Sequence, residues 1–355
     1  MIENGHGGDI FGLPKEERDS LLDFSININP LGMSPKGKDS MLAHLDMDAA
    51  RYPDVLCRDM KRALSARYGM KEDCITCGNG ATELMYTFAR VFKPSAVYVP
   101  APAFSEYRLS AEAAGIPVSS FLLDAAHGFR PLGTHFLERI RPHSLIYLGN
   151  PNNPDGQLLG QDVLEMIIER AEEVESQVMV DESFIDFVGE TSSVRHYIEQ
   201  HPCLSVVMSL TKFYAVPGLR IGILFSSSPV AEVIQNALYP WNVNGLVQRY
   251  MTEAVKDQSY INKSIEYVHS ERSRMEAILS SSEKLTVYNS TANFILLRLK
   301  GHTARWLQTE LLPRHMMIRQ CGNYECLDDS FFRLAVRKRE ENDRLLEAMR
   351  EVLRA

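Results

Sequence analysis

Short apolar runs, each bounded by turn residues, recur through the first two thirds of the chain. Ala96-Val97-Tyr98-Val99, Leu145-Ile146-Tyr147-Leu148, Val178-Met179-Val180, Leu204 to Met208 and Ile221 to Phe225 have the length and content of strands buried on both faces. Between them the spacing turns helical: across Asp162 to Glu175, the residues Val163, Ile167, Ala171 and Val174 trace one apolar stripe. Strands and helices in alternation predict an α/β fold, with a mainly parallel sheet covered on both sides. After about residue 235 the pattern changes. Asn293 to Leu299 and Phe331 to Val336 read as strands, and Thr303 to Leu312 and Glu340 to Leu353 as helices, which predicts a smaller α+β domain. The opening residues are rich in Gly, Asn and Pro, too irregular for a strand or helix, and are expected to pack across the small domain and the mouth of the site. The expected division is 1–40, 41–235 and 236–355.

Composition narrows the field. With 355 residues, 45% of them hydrophobic, the chain can bury a large core. The net charge is -8 and no basic block occurs, which argues against a nucleic-acid partner. It does not argue against an anionic ligand, because a few arginines set the field inside a cleft. No apolar run approaches the roughly 20 residues of a membrane span, and the opening residues lack the charged and apolar regions of a signal peptide. A cytoplasmic protein with no membrane partner is the expectation. Of six cysteines, Cys74 and Cys77 form a C-x-x-C. A zinc site would need two more ligands, and Cys321 and Cys326 lack the usual tight spacing, so reduced thiols and no metal are expected.

The chemistry concentrates where strands end. After Leu204 to Met208 comes Ser209-Leu210-Thr211-Lys212-Phe213-Tyr214-Ala215-Val216-Pro217-Gly218-Leu219-Arg220-Ile221-Gly222. It offers a hydroxyl, an amine and a guanidinium at fixed offsets. An amine condenses with an aldehyde, and a hydroxyl with a guanidinium holds a phosphate, so the set suits a cofactor that has both. Asp181 directly follows Val178-Met179-Val180, at the carboxyl end of a strand, where open parallel sheets bind ligands. Alone, it would serve equally as a helix cap. Gly78-Asn79-Gly80-Ala81-Thr82-Glu83 opens a helical run, and such a turn offers free N–H groups and the positive end of the helix dipole to a phosphate. Gly149-Asn150-Pro151-Asn152-Asn153-Pro154-Asp155-Gly156 is a turn in any fold.

Taken together, these segments resemble the pyridoxal-phosphate enzymes of fold type I, the aminotransferases and their relatives, over essentially the whole chain. The resemblance implies a large domain with a mainly parallel sheet, a smaller α+β domain, and pyridoxal 5'-phosphate as cofactor. It assigns Lys212 to the cofactor aldehyde, Asp181 to the pyridine nitrogen, and Ser209, Arg220 and the amides of Gly80 and Ala81 to the phosphate. Asn153 falls to the phenolic oxygen, Phe104 to stacking on the ring, and Tyr52 to the phosphate of a neighbouring subunit across a homodimer with a shared active site. Arg333 matches the clamp on the substrate α-carboxylate, and Arg319 a position used by phosphate-bearing substrates. Arg337 receives no role.

Two branches of the group compete, histidinol-phosphate aminotransferase and threonine-phosphate decarboxylase. The stretches around His6, around Asn29-Pro30-Leu31-Gly32, around Lys212 and at Pro240-Trp241-Asn242-Val243-Asn244 look like the decarboxylase, as does Phe184, where many aminotransferases carry Tyr. His6, Asn29 and Gly32 are accordingly expected at the substrate. Ala81, Asp155 and Ile223 depart from the decarboxylase pattern without touching a catalytic atom. The resemblance thus implies decarboxylation of a small phosphorylated amino acid, phosphothreonine or phosphoserine, with transamination as the alternative. A non-catalytic regulator on the same fold would carry an added DNA-binding domain and would not need Lys212.

Overall fold

The structure is a computed structural model that describes residues 7–8, 10–129 and 134–354. Its strands, in chain order, are β1 (Leu22–Asp23), β2 (Ile75–Gly78), β3 (Val97–Ala101), β4 (Val118–Leu122), β5 (Leu145–Gly149), β6 (Gln177–Asp181) and β7 (Leu204–Ser209). They continue with β8 (Gly222–Phe225), β9 (Leu285–Tyr288), β10 (Phe294–Leu299), β11 (Met316–Met317), β12 (Arg319–Gln320) and β13 (Phe331–Ala335).

Seven of these form the main sheet, in the order β2-β8-β7-β6-β5-β3-β4. Its strands bury both faces, and the alternation along each strand shows how. Val178 and Val180 of β6 enter the same core as Leu204, Val206 and Met208 of β7. The intervening Met179 and Val207 point to the opposite core, with Tyr147 and Leu224. Parallel pairing runs from β4 through β3, β5 and β6 to β7. The exception is β8, antiparallel to both β7 and β2. Because β8 reverses direction, Gly78 at the end of β2 lands on the edge that carries the carboxyl ends of the parallel strands. The register aligns Gly149 with Asp181, Ser209 with Gly222, and Gly222 with Gly78. The α/β expectation holds, and most of the segments that carry chemistry end on this one edge.

A four-stranded antiparallel sheet, β12-β13-β10-β9, has its own core of Ile295, Leu297, Phe332, Leu334, Leu345 and Met349. Helix Gln258–Ser280 spans both cores, placing Tyr260, Ile261 and Val268 in the first and Met275 and Leu279 in the second. No helix among the described residues is long and apolar enough to cross a membrane.

Local differences from the sequence reading have physical causes. Helix Gln161–Glu173 buries Leu164, Ile167, Ile168 and Ala171, so its inner stripe is rotated from the one expected, and Val163 and Val174 lie only half-buried at its margin. The opening residues do form regular structure: helix Lys15–Ser20, the start of helix Pro35–Ala43, and the two-residue strand β1, paired in parallel with β11 through Leu22 and Met316. Two residues are too few for a periodic pattern; the strand exists because a distant partner supplies its register.

Candidate active site

Lys212 lies in the short helix Leu210–Phe213 that follows β7 directly. Its Nζ donates to Ser209 Oγ at 2.7 Å, and that oxygen also meets Thr211 Oγ1 at 2.8 Å. Burial pulls the amine down to about 8; Asp181 opposes that shift, while Arg220 and Arg333 reinforce it. Three charged groups from separate segments of the chain therefore act on one amine.

Asp181 is buried, and both oxygens of its carboxylate accept hydrogen bonds, with room for a further donor on Oδ2. Oδ1 accepts from Ser183 N at 2.9 Å and from Ser183 Oγ at 2.5 Å, and Oδ2 accepts from Tyr107 Oη at 2.8 Å. Ser183 Oγ in turn accepts from Ser209 N at 2.9 Å, which ties the carboxylate to the lysine segment. Neither Tyr107 nor Ser183 figured in the sequence reading. Ser183 had a local signal, since a residue two places after Asp readily donates back to its carboxylate. Tyr107 is 74 residues away and had none. Burial beside Asp181 pushes its hydroxyl well above the usual tyrosine range, so it stays a donor. Phe104 meets Tyr107 edge-on, with ring centroids 5.8 Å apart.

Three backbone segments crowd together beside Lys212. Gly80 caps helix Ala81–Phe92 at φ 91°, in the left-handed region, with no side-chain cap. A Cβ on Gly80 would strike the Arg220 guanidinium, and a Cβ on Gly222 would strike the backbone of Gly80 and Ala81. Gly80 donates its own N–H to Gly78 O at 2.8 Å, so its contribution here is the missing side chain that admits Arg220.

The opposite wall comes from the smaller sheet. Arg319 and Arg333 are directly paired across β12 and β13, and both are buried. Like charges directly opposite one another destabilise a sheet, so such a pair needs anions or strong acceptors. Arg333 Nη2 donates to Ser25 O at 3.0 Å, Nη1 donates to Asn153 Oδ1, and the guanidinium lies 5.0 Å over the Phe294 ring. Oriented by its neighbours, Asn27 accepts from Nη1 and Nη2 at 3.2 and 3.3 Å. Phe184 packs edge-on against the same Phe294, with centroids 4.9 Å apart. Arg319 donates to Asn323 Oδ1 at 2.9 Å and to Gln320 O.

The remaining expected residues lie elsewhere. Asn29 gives its N–H to Lys212 O at 3.0 Å, while its amide nitrogen reaches Phe213 O, Tyr260 Oη and Ser264 Oγ at 2.8 to 3.0 Å. Its oxygen accepts from Leu31 N, so the side chain is committed to anchoring the N-terminal segment behind the lysine. Gly32, at φ 75°, accepts from Tyr260 Oη in the same network. Tyr52 is 82% exposed and packs against Trp241 on the outer surface, with centroids 4.7 Å apart and the rings tilted by 31°. Arg337 is spent on Glu341 and Asp23 O, a structural use. His6 lies outside the described residues. No group of three or more His, Cys, Asp or Glu suited to a metal occurs among the described residues.

A buried amine, a buried carboxylate, a glycine turn packed on Arg220 and two paired guanidiniums define a class. The chain belongs to the aminotransferase class I and II family, whose model matches residues 19–349. It is similar to the threonine-phosphate decarboxylase of Salmonella typhimurium, 34% identical over 99% of this chain and 98% of that protein. Among solved structures, the histidinol-phosphate aminotransferase from Clostridium acetobutylicum matches with a TM-score of 0.87, 31% identical, covering 94% of this chain and 99% of that one. The L-threonine-O-3-phosphate decarboxylase from Porphyromonas gingivalis has the same fold, at TM-score 0.84 and 23% identity, covering 94% and 99%.

Proposed function

We propose that this protein decarboxylates a small O-phosphorylated 3-hydroxy amino acid, L-threonine O-3-phosphate or its serine counterpart, to the phospho-amino alcohol, with pyridoxal 5'-phosphate as cofactor. The observation that carries the substrate class is the cross-strand pair Arg319 and Arg333, of which Arg333 acts on the Lys212 amine. A ligand with one carboxylate and one phosphate supplies the two anions this pair calls for. Between the two reactions such a site supports, full-length similarity to the Salmonella decarboxylase favours loss of CO₂. Likeness to the Clostridium aminotransferase keeps transamination as the second reading.

The residues fit the cofactor. Lys212 would take its aldehyde carbon, Asp181 its ring nitrogen, Phe104 a ring face and Asn153 its phenolic oxygen. Its phosphate would sit among Ser209, Arg220 and the turn at Gly80 and Ala81. When bound, pyridoxal phosphate supplies a sink for the electron pair left at the substrate α-carbon. The chain's own residues do the rest. Arg333 holds the α-carboxylate and Arg319 the phosphate. Which bond at the α-carbon stands in line with the ring's π system decides between loss of CO₂ and loss of a proton, so Arg333 selects the reaction by where it holds the carboxylate. Lys212, with its lowered proton affinity, would return to the α-carbon the proton that replaces CO₂. The exposed Tyr52 and Trp241 would be covered in a homodimer, with Tyr52 reaching the partner's phosphate site. Incubation of the holoenzyme with L-threonine O-3-phosphate, without any oxo acid, should yield CO₂ and the phospho-amino alcohol in equal amounts. A keto acid product would point to transamination.

A further inference from the structure

Tyr324 sits in the turn between β12 and β13, half-buried. Neither the sequence motifs nor their spacing draws attention to it. It nonetheless touches both halves of the site. Its hydroxyl donates to Asn153 Oδ1 at 3.1 Å, across 171 residues of chain. Its ring lies beneath the Arg319 guanidinium, 5.3 Å from Cζ to centroid. The same Asn153 oxygen accepts from Arg333 Nη1. With two donors on Oδ1, the Asn153 amide has a fixed orientation, and its NH₂ is turned away from both.

The turn that carries Tyr324 is itself fastened across the sheet edge. Glu325 accepts from Arg108 Nη2 at 2.9 Å and from Ser120 Oγ at 2.5 Å, and Cys326 Sγ donates to Ala101 O at 3.1 Å. The smaller sheet is thereby tied to the end of β3, the middle of β4 and helix Glu106–Ala113, beside the residue that orients Asn153.

We propose that Tyr324 is a positioning residue that couples the two sides of the site. Its hydroxyl orients Asn153 toward the cofactor ring, and its ring supports Arg319 for the substrate's second anion. The inference rests on the functional reading above. A donor on Oδ1 also polarises the amide and makes its NH₂ a better donor. Losing the hydroxyl should therefore weaken stabilisation of whatever negative charge the NH₂ faces.

Two substitutions separate the roles. Tyr324→Phe keeps the ring and removes only the bond to Asn153. It should raise the pH midpoint of the bound cofactor's visible absorbance by about half a unit and lower kcat about fivefold, with KM for L-threonine O-3-phosphate within about twofold of wild type. Tyr324→Leu also removes the support of Arg319. It should raise KM for the phosphorylated substrate about tenfold while leaving the inhibition constant of phosphate-free L-threonine unchanged. The inference is overturned if Tyr324→Phe matches wild type in absorbance midpoint and kcat, or if Tyr324→Leu weakens both ligands equally. A wild-type protein that shows neither cofactor absorbance nor turnover would instead overturn the functional reading.

Discussion

Lys212 shows what a single residue owes to its surroundings. The sequence marks it by its offsets from Ser209 and Arg220, but its lowered proton affinity comes from burial, with Arg220 and Arg333 adding to it against Asp181. A lysine near 8 is substantially neutral at mildly alkaline pH and can act as a nucleophile. Capture of pyridoxal phosphate by the apoprotein, followed by visible absorbance, should accelerate as pH rises to about 8 and level off above it. Lys212→Ala should show no such absorbance and no turnover; normal product formation by that variant would remove the lysine from the chemistry. Legibility at this scale followed the motif. Ser209, Lys212 and Asp181 stand in runs with fixed spacing and were readable. Tyr107, Asn27 and Tyr324 are brought to the site by long-range packing, and no pattern near them in the chain reports their partners.

Elements were legible where one periodicity ran long enough to show. Five of the seven main-sheet strands, β3 and β5 to β8, were read from their apolar content, and helices Ala304–Leu311 and Arg339–Arg354 were also expected, whereas β2 and β4 were not read. The pairing of β12 with β13, which sets Arg319 opposite Arg333, was not readable, because register between short strands is fixed by their turn and by the core beneath them. The segment after β6 carries a consequence of its own. Glu182, next to Asp181, is buried, and burial raises it to about 7 although Ser193, the Val194 N–H and Asn150 all donate to it. A carboxyl that ionises near 7 in the fold and near 4.5 unfolded costs stability as pH climbs between those values. The thermal midpoint of wild type should carry a decline over that interval that Glu182→Gln lacks. Parallel pH profiles for the two proteins would contradict the buried-carboxyl account.

For the whole molecule, the arrangement resolves into two walls. The main sheet supplies the amine, the carboxylate and the glycine turn packed on Arg220 from the ends of β2, β6 and β7, while the smaller sheet supplies the paired guanidiniums. Helix Gln258–Ser280 and the N-terminal segment join them. Ser25 and Asn27 hold Arg333, and two residues on Asn29 bonds to Lys212. In the proposed function the first wall would hold the cofactor that supplies the electron sink, and the second would hold the carboxylate and phosphate of the substrate. The central claim is that the α-carbon bond broken is the one to the carboxylate, and a count of turnovers tests it most directly. Decarboxylation leaves the cofactor in its aldehyde form, so the protein should release CO₂ from L-threonine O-3-phosphate through many cycles per active site with no oxo acid present. Reaction that stops at or below one equivalent, loses the visible absorbance, and resumes only when 2-oxoglutarate is added would contradict the account and establish a transaminase.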